Sequence, residues 1–212
     1  MTVIRDIIKN ICSVGPSGFD SYSPNRIANF YRRGENLRTL VPLLTHKDPQ
    51  IASAGAWIAS EVVGIGRGRE IFDELFQMLY NPDPAVRFWP ISAVACLATA
   101  SDTAELQKLI TLIADENIGV RNQALRYLGV IPISSLSGLK DPPIVRLLLP
   151  NANKDDLLVY FKSDNAIARR LAIAGAMRNF SDDHNFLSEM LAILNNDEKN
   201  EVKEIQRMII IA

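Results

Sequence analysis

One short pattern, repeated five times, constrains the fold of this chain more than any other feature of its sequence. In each copy an amphipathic stretch leads into a turn, and an apolar residue then opens a second amphipathic stretch. The apolar marker residues are Ile51, Val86, Val120, Ala168 and Val202, at intervals of 35, 34, 48 and 34 residues. A period near 34 residues suits a pair of short helices stacked on similar pairs. The sequence therefore predicts an all-α solenoid.

The turns of the repeat carry signals for the start of a second helix. Asp48 and Asp83 are suited to capping free backbone N–H groups. Pro49 and Pro84 follow them at the first helical position, where a missing N–H donor costs nothing. The pattern predicts about five helical hairpins over residues 37–212.

Two segments depart from the regular pattern. Residues 129–153 contain four prolines between the third and fourth copies, and they are predicted to be an insertion of about 14 residues. Residues 1–36 hold an apolar stretch over residues 3–14 and a basic stretch over residues 25–33. We expect this segment to form the N-terminal helical cap that such an array needs.

The segment 83–87, Asp-Pro-Ala-Val-Arg, carries a resemblance to a known family. Its Asp-x-x-Val-Arg pattern is similar to the start of the second helix in HEAT repeats, and the resemblance extends over roughly residues 37–212. Ala52 replaces the basic residue in the first copy and Lys203 stands in the last. The period also suits tetratricopeptide repeats, but their Trp, Gly-Tyr and Ala positions are not in register. The resemblance implies an α-α superhelix, a HEAT-like solenoid with a concave face.

Four basic residues occupy one position of the repeat: Arg87, Arg121, Arg169 and Lys203. One interpretation is an anion-binding ribbon. The favoured interpretation rests on the resemblance, because the equivalent basic residue of HEAT repeats pairs with the turn aspartate of a neighbouring unit. Asp48 and Asp83 would supply such partners here, and the column would then fix how the hairpins stack.

The candidate binding surface lies on the second helices. If the marker residue and those 4, 7, 8 and 11 places later pack inward, positions 2, 3 and 6 places later face the concave side. The predicted partner-binding residues at these positions are Trp57, Phe88, Trp89, Asn122, Gln123, Arg126, Arg170 and Met208. Aromatic, Arg and Met side chains are enriched in protein interfaces. The alternative for Trp57 and Trp89 is burial between helices.

Catalytic chemistry has few candidates in this sequence. His46 and His184 show no metal-ligand spacing, and Cys12 and Cys96 have neither CxxC spacing nor a neighbouring His. The glycine-rich segment 64–69 lacks the preceding strand and the Lys-Ser/Thr of a phosphate-binding loop, and it is interpreted as a flexible connector. We expect no catalytic residue, no metal site and no cofactor, and the free cysteines favour a cytoplasmic location.

The charge distribution argues against nucleic acid as the partner. The formal net charge is −1, which gives no overall attraction to a phosphate backbone. Charge does vary along the chain: residues 1–40 carry +3 and residues 181–212 carry −4. The N-terminus carries charges where a signal peptide needs an apolar core, and no apolar run is long enough for a membrane span.

The function predicted from these features is that of a non-enzymatic module whose partner is another protein. Stand-alone HEAT-like proteins of this size in bacteria include adaptors and immunity proteins that neutralise a toxin, so the resemblance makes a toxin one candidate partner. The alternative is a HEAT-like DNA glycosylase for alkylated bases, a family that places a carboxylate between aromatic residues on a basic concave face. Asp48, Asp83 and Asp197 lie instead at helix starts, away from the concave positions. A bilin lyase of the HEAT-like type is a third possibility.

Overall fold

The computed structural model describes residues 3–63, 67–139 and 146–209, and every regular element in these ranges is a helix. The predicted all-α fold class is therefore confirmed. The chain divides into two compact units, Met1–Leu97 (unit 1) and Ala98–Ala212 (unit 2). Gly64, Ile65 and Gly66 of the predicted connector lie outside the described residues.

Unit 1 contains three N-terminal helices and two hairpins. The N-terminal helices lie over the predicted cap: α1 (Val3–Val14), α2 (Gly18–Ser21) and α3 (Pro24–Arg32). The first hairpin joins a 3₁₀ turn (Leu37–Leu40) and α4 (Val41–Leu44) to α5 (Pro49–Val62). The second hairpin joins a 3₁₀ turn (Arg69–Ile71) and α6 (Phe72–Met78) to α7 (Pro84–Phe88) and α8 (Pro90–Leu97). Helix α5 packs against α3, α4, α7 and α8 and so forms the centre of the unit.

The second helix of the second hairpin is interrupted, which the sequence pattern did not predict. The pattern indicated one helix from Pro84 through Leu97, whereas α7 ends at Phe88 and α8 begins at Pro90. Proline cannot donate to the carbonyl four residues earlier, and its ring disfavours helical geometry in the residue before it. The break therefore falls at Trp89.

The described residues of unit 2 form three hairpins and a short helix. The hairpins are α9 (Thr103–Leu112) with α10 (Ile118–Val130), α12 (Lys154–Phe161) with α13 (Ala166–Phe180), and α14 (His184–Ile193) with α15 (Asn196–Ile209). Helix α11 (Ile133–Leu136) lies in the predicted insertion. The described residues thus hold five hairpins, as the repeat predicted.

The apolar marker of every copy is buried, which confirms the phase of the repeat. The exposed fraction is 7% for Ala168 and at most 1% for Ile51, Val86, Val120 and Val202. In α5 the positions 4, 7, 8 and 11 residues after the marker are buried as well. Burial of one helical face in this order is the packing that the 3.6-residue period demands.

The turns before the second helices share a hydrogen-bond pattern that the sequence analysis missed. The cap residue's backbone N–H donates to the side chain two residues earlier in four turns: Asp48 to His46, Asp83 to Asn81, Asn117 to Asp115 and Asn165 to Ser163. The cap side chain then accepts from the first turn of its helix in each case. These short polar contacts fix the angle at which each second helix begins.

The basic column has a structural role in the described contacts. Arg87 Nη1 donates to the carbonyl of Asn81 at 2.8 Å, and Arg121 Nη1 donates to that of Asp115 at 2.9 Å. Arg169 Nη1 makes the same bond six residues back, to Ser163. Each guanidinium therefore satisfies a carbonyl of its own turn, while the turn aspartates Asp48 and Asp83 cap their own helices.

Residues 140–145 of the predicted insertion lie outside the described residues, and its described parts, 129–139 and 146–153, pack firmly within unit 2. Leu136, Leu147 and Leu148 are at most 2% exposed. The carbonyl of Leu147 also approaches α13 so closely that a Cβ added at Gly175 would lie 1.9 Å from its oxygen. Only glycine allows that approach.

Candidate functional site

An open groove of about 400 Å³ lies in unit 1, between the start of α3, the outer face of α5 and the start of α7. Its lining includes Pro24, Pro49, Ser53, Trp57, Asp83 and Trp89. No Lys or Arg is among the described residues that line it. The groove brings together the two tryptophans of the chain, which were both among the predicted partner-binding residues.

Three helix starts shape one side of this groove. Pro24, Pro49 and Pro84 each stand in the first turn of a helix, preceded by the capping residues Ser23, Asp48 and Asp83. Proline brings no N–H donor to these turns, and each cap satisfies one of the donors that remain. Pro24 and Pro49 line the groove themselves, so at these two helix starts it presents carbon surface rather than unsatisfied backbone.

Trp57 and Trp89 are both partly open, and the Trp89 ring is held by a neighbouring aromatic ring. Both side chains are half-buried. Trp89 packs edge to face on Phe88, with ring centroids 4.8 Å apart, and it stands at the helix break before Pro90. The hydroxyl of Ser53 donates to the carbonyl of Ala85 at 3.0 Å and joins α5 to α7 beside the rings. The alternative of complete burial is excluded for both tryptophans.

The position of Asp83 corrects one part of the sequence analysis. Asp83 is at a helix start, as predicted, but it also lines the groove that contains Trp57 and Trp89. Asp83 shares this lining with Trp57 because α5, which carries Trp57, packs against α7, which Asp83 caps. One oxygen of the Asp83 carboxylate accepts the backbone N–H of Ala85 at 2.8 Å.

The predicted binding residues of unit 2 have a different environment. Gln123 is 6% exposed, so its side chain does not contribute to an open surface. Asn122 is half-buried and its Oδ1 has no hydrogen-bond partner among the described residues. Arg126 is half-buried, with its guanidinium 5.2 Å from the ring centre of Tyr127. The side chain of Met208 lies outside the described part of the chain.

Arg170 is committed to an ion pair inside unit 2. Its Nε lies 3.0 Å from both carboxylate oxygens of Glu201, which is 1% exposed. Arg121 Nε lies 3.6 Å from the same carboxylate, and Arg169 Nε pairs with the buried Glu198 at 2.7 Å. Burial raises the pKa of Glu201 in spite of the opposing attraction of Arg170 and Arg121. In the sequence, Glu198 and Glu201 stand out only as part of an acidic segment, because nothing in their local pattern marks them as buried.

The two histidines have no arrangement for metal binding. His46 accepts the N–H of Asp48 through Nδ1 and is thus part of a turn. In the ranges that the structure covers, no group of three or more His, Cys, Asp or Glu side chains is placed to hold a metal ion. None of the helices described is both long and apolar enough to span a lipid bilayer.

Comparison with known proteins adds information on the fold alone. No protein-family model matches the chain, and no curated protein matches it. The chain is similar to an engineered protein whose crystal structure was determined by the Northeast Structural Genomics Consortium, with a TM-score of 0.54 and 14% identity. The likeness covers 98% of this chain and 96% of that one. Fold and comparison together define an all-α protein built of helical hairpins.

Proposed function

We propose that this chain is a non-enzymatic protein-binding module and that the groove of unit 1 is the centre of its binding surface. The observation that carries the proposal is the pair of half-buried tryptophans in one open groove. Tryptophan is among the residues that contribute most to protein interfaces when a partner covers it. Because the Trp89 ring already packs on Phe88, covering it costs little side-chain entropy.

The same proposal includes membership of the HEAT-like family. The supporting observations are the five hairpins, the buried marker residues and the hydrogen-bond pattern that four of the turns share. Family members of this kind act by occupying a partner's surface. Toxin inhibition and adaptor function both fit such a mechanism, and the free thiols of Cys12 and Cys96 fit a cytoplasmic location.

The partner that fits the groove is a protein segment with apolar side chains. The groove offers two indole rings and two proline rings, and its cavity of about 400 Å³ is open to solvent along one side. An extended segment can place one or two apolar side chains against these rings while its backbone stays at the rim. Apolar burial then supplies the affinity.

A DNA glycosylase is the second candidate, and the position of Asp83 favours it. A carboxylate beside two aromatic rings is the arrangement that this family uses. Two observations weigh against it: the Asp83 carboxylate is occupied in capping α7, and no lining residue supplies the positive charge that a DNA backbone requires. The protein-binding proposal therefore ranks first.

The experiment is a selection of peptides displayed on phage, with the wild-type chain as bait and Trp57→Ala/Trp89→Ala as the counter-selecting bait. We expect the enriched peptides to carry apolar side chains and to lose about 30-fold in affinity on Trp57→Ala, which corresponds to about 2 kcal/mol. Phe76→Ala is the matched control, because Phe76 is a half-buried aromatic residue of unit 1 outside the groove. Arg126→Ala tests whether the partner also contacts unit 2. Peptides that bind the tryptophan variants as tightly as they bind the wild-type chain would contradict the proposal.

A base-excision assay separates the two candidates. We expect the wild-type chain to release no alkylated base from duplex DNA and to bind DNA only weakly and in a salt-sensitive manner. Base release that is abolished by Asp83→Asn would overturn the proposal in favour of the glycosylase.

A further inference from the structure

A second cleft in unit 1 combines positive charge with an apolar floor. It has a volume of about 410 Å³ and lies between α1 and the first hairpin. Its charged, apolar and thiol-bearing lining residues are Arg5, Ile8, Lys9, Cys12, Arg38 and Pro42, and the remaining lining residues are uncharged. None of them lines the tryptophan groove.

The helical period explains why α1 presents this surface. Arg5, Lys9 and Cys12 follow one another at spacings of four and three residues, so they share a face of the helix. Ile8 lies between that face and the core and is 2% exposed. The thiol of Cys12 donates to the carbonyl of Pro42 at 3.6 Å, which joins α1 to the opposite wall of the cleft.

The charges of the cleft are unbalanced. Arg5 and Lys9 are exposed, and neither has an ion-pair partner among the described residues. Arg38 is held in a fixed position, since its Nη1 donates to Glu74 Oε1 at 2.9 Å and to the carbonyl of Glu70 at 2.8 Å. The cleft therefore has two available cations at its rim and no acidic lining residue.

We infer that this cleft binds an acidic segment of a partner protein, with carboxylates at Arg5 and Lys9 and one apolar side chain against the exposed Pro42. Charge complementarity selects the acidic partner. A free phosphate would leave the apolar floor unused, and an anionic bilayer is recognised by larger groups of basic residues than these two. The surface is separate from the groove of the proposed function, and the inference does not depend on that function.

The test uses short peptides in which glutamates and leucines alternate at helical spacing, labelled with fluorescein and followed by anisotropy at low salt. We expect them to bind the wild-type chain and to weaken about tenfold on Arg5→Glu/Lys9→Glu. The matched control is Arg33→Glu/Lys47→Glu, which makes the same charge change at exposed residues of unit 1 outside the cleft. Trp57→Ala should leave this binding unchanged. Circular dichroism verifies that all variants are folded.

Cys12 provides a second readout that does not depend on a variant. When the peptide is bound, the Cys12 thiol should react more slowly with a bulky maleimide. The exposed Cys96 is the internal control and should react at an unchanged rate. The inference is overturned if the acidic peptides do not bind, if both charge variants bind them equally, or if Cys12 reacts at the same rate in their presence. Binding of phosphate or of phosphatidylserine vesicles without binding of the peptides would also overturn it.

Discussion

The second helices α5 and α13 carry the same repeat pattern but have different surroundings. In unit 1, Ser53, Ala54 and Trp57 of α5 are half-buried and form a wall of the open groove. In unit 2, every residue of α13 from 171 to 177 is buried. The insertion packs on α13 through the carbonyl of Leu147. The position of a residue in the repeat thus sets the direction of its side chain. Whether that side chain is buried depends on residues outside the repeat, such as the insertion that packs on α13.

One ion pair from each unit shows a similar contrast in exposure to solvent. The pair Arg32–Glu61 in unit 1 has its atoms 2.7 Å apart, with side chains 36% and 41% exposed. The pair Arg170–Glu201 in unit 2 has side chains 13% and 1% exposed. An exposed pair gains little free energy, whereas a buried carboxylate depends on its cations. The exposed pair of unit 1 can therefore adapt, whereas the buried pair of unit 2 helps to fix the packing around α13 and α15.

The largest expected effect comes from removing the cation of the buried pair. Arg170→Met leaves the Glu201 carboxylate buried without its nearest partner, and we expect the free energy of unfolding to fall by about 3–5 kcal/mol. Arg32→Met is the matched substitution in unit 1, with an expected change of about 0–1 kcal/mol. Urea unfolding followed by circular dichroism measures both. Equal losses would contradict the proposed difference between the units.

The next largest effect tests the contact between the insertion and α13. Gly175→Ala should lower the free energy of unfolding by about 1–3 kcal/mol, because the added Cβ requires the backbone at Leu147 to move. Gly129→Ala is the control: no atom lies within 4 Å of its added Cβ, and alanine in a helix gains roughly 0.5–1 kcal/mol over glycine. If Gly175→Ala is as well tolerated as the control, the insertion does not pack on α13 as described.

A smaller effect concerns pH. Burial raises the pKa of Glu201 above its ordinary value of 4.5, so the folded protein keeps this proton at a pH where the unfolded chain has lost it. The stabilisation from Glu201 is therefore complete below about pH 4.5 and falls as the pH rises through the folded-state pKa. Glu201→Gln should remove this decline, which unfolding titrations from acid to neutral pH can detect.

Asp183 provides a control of opposite sign for that titration. The hydrogen bond from Lys154 lowers the pKa of Asp183 below its ordinary value of 3.8. Its stabilisation is present above about pH 3.8 and disappears as the pH falls through the folded-state pKa. Asp183→Asn should therefore change the acid end of the curve, and a Glu201→Gln curve parallel to the wild type would contradict the account of the buried pair.

The sequence was sufficient to predict the hairpins and the buried markers, because each follows from local periodicity. The helix break at Pro90 was not predicted, although proline within a helical pattern is a local signal for it. The burial of Glu201 and the position of Asp83 in the groove were not predictable in this way. Both depend on which residues a neighbouring helix brings into contact, and a single-sequence pattern does not contain that information.

The emission of the two tryptophans is the most direct test of the central claim that the groove of unit 1 is the binding surface. Trp57 and Trp89 are the only tryptophans of the chain and both line the groove, so their fluorescence reports on this one place. When a selected peptide without tryptophan binds, we expect the emission to shift to shorter wavelengths and quenching by acrylamide to weaken, because the indole rings lose contact with water. A peptide that binds by anisotropy but leaves both quantities unchanged would contradict the account.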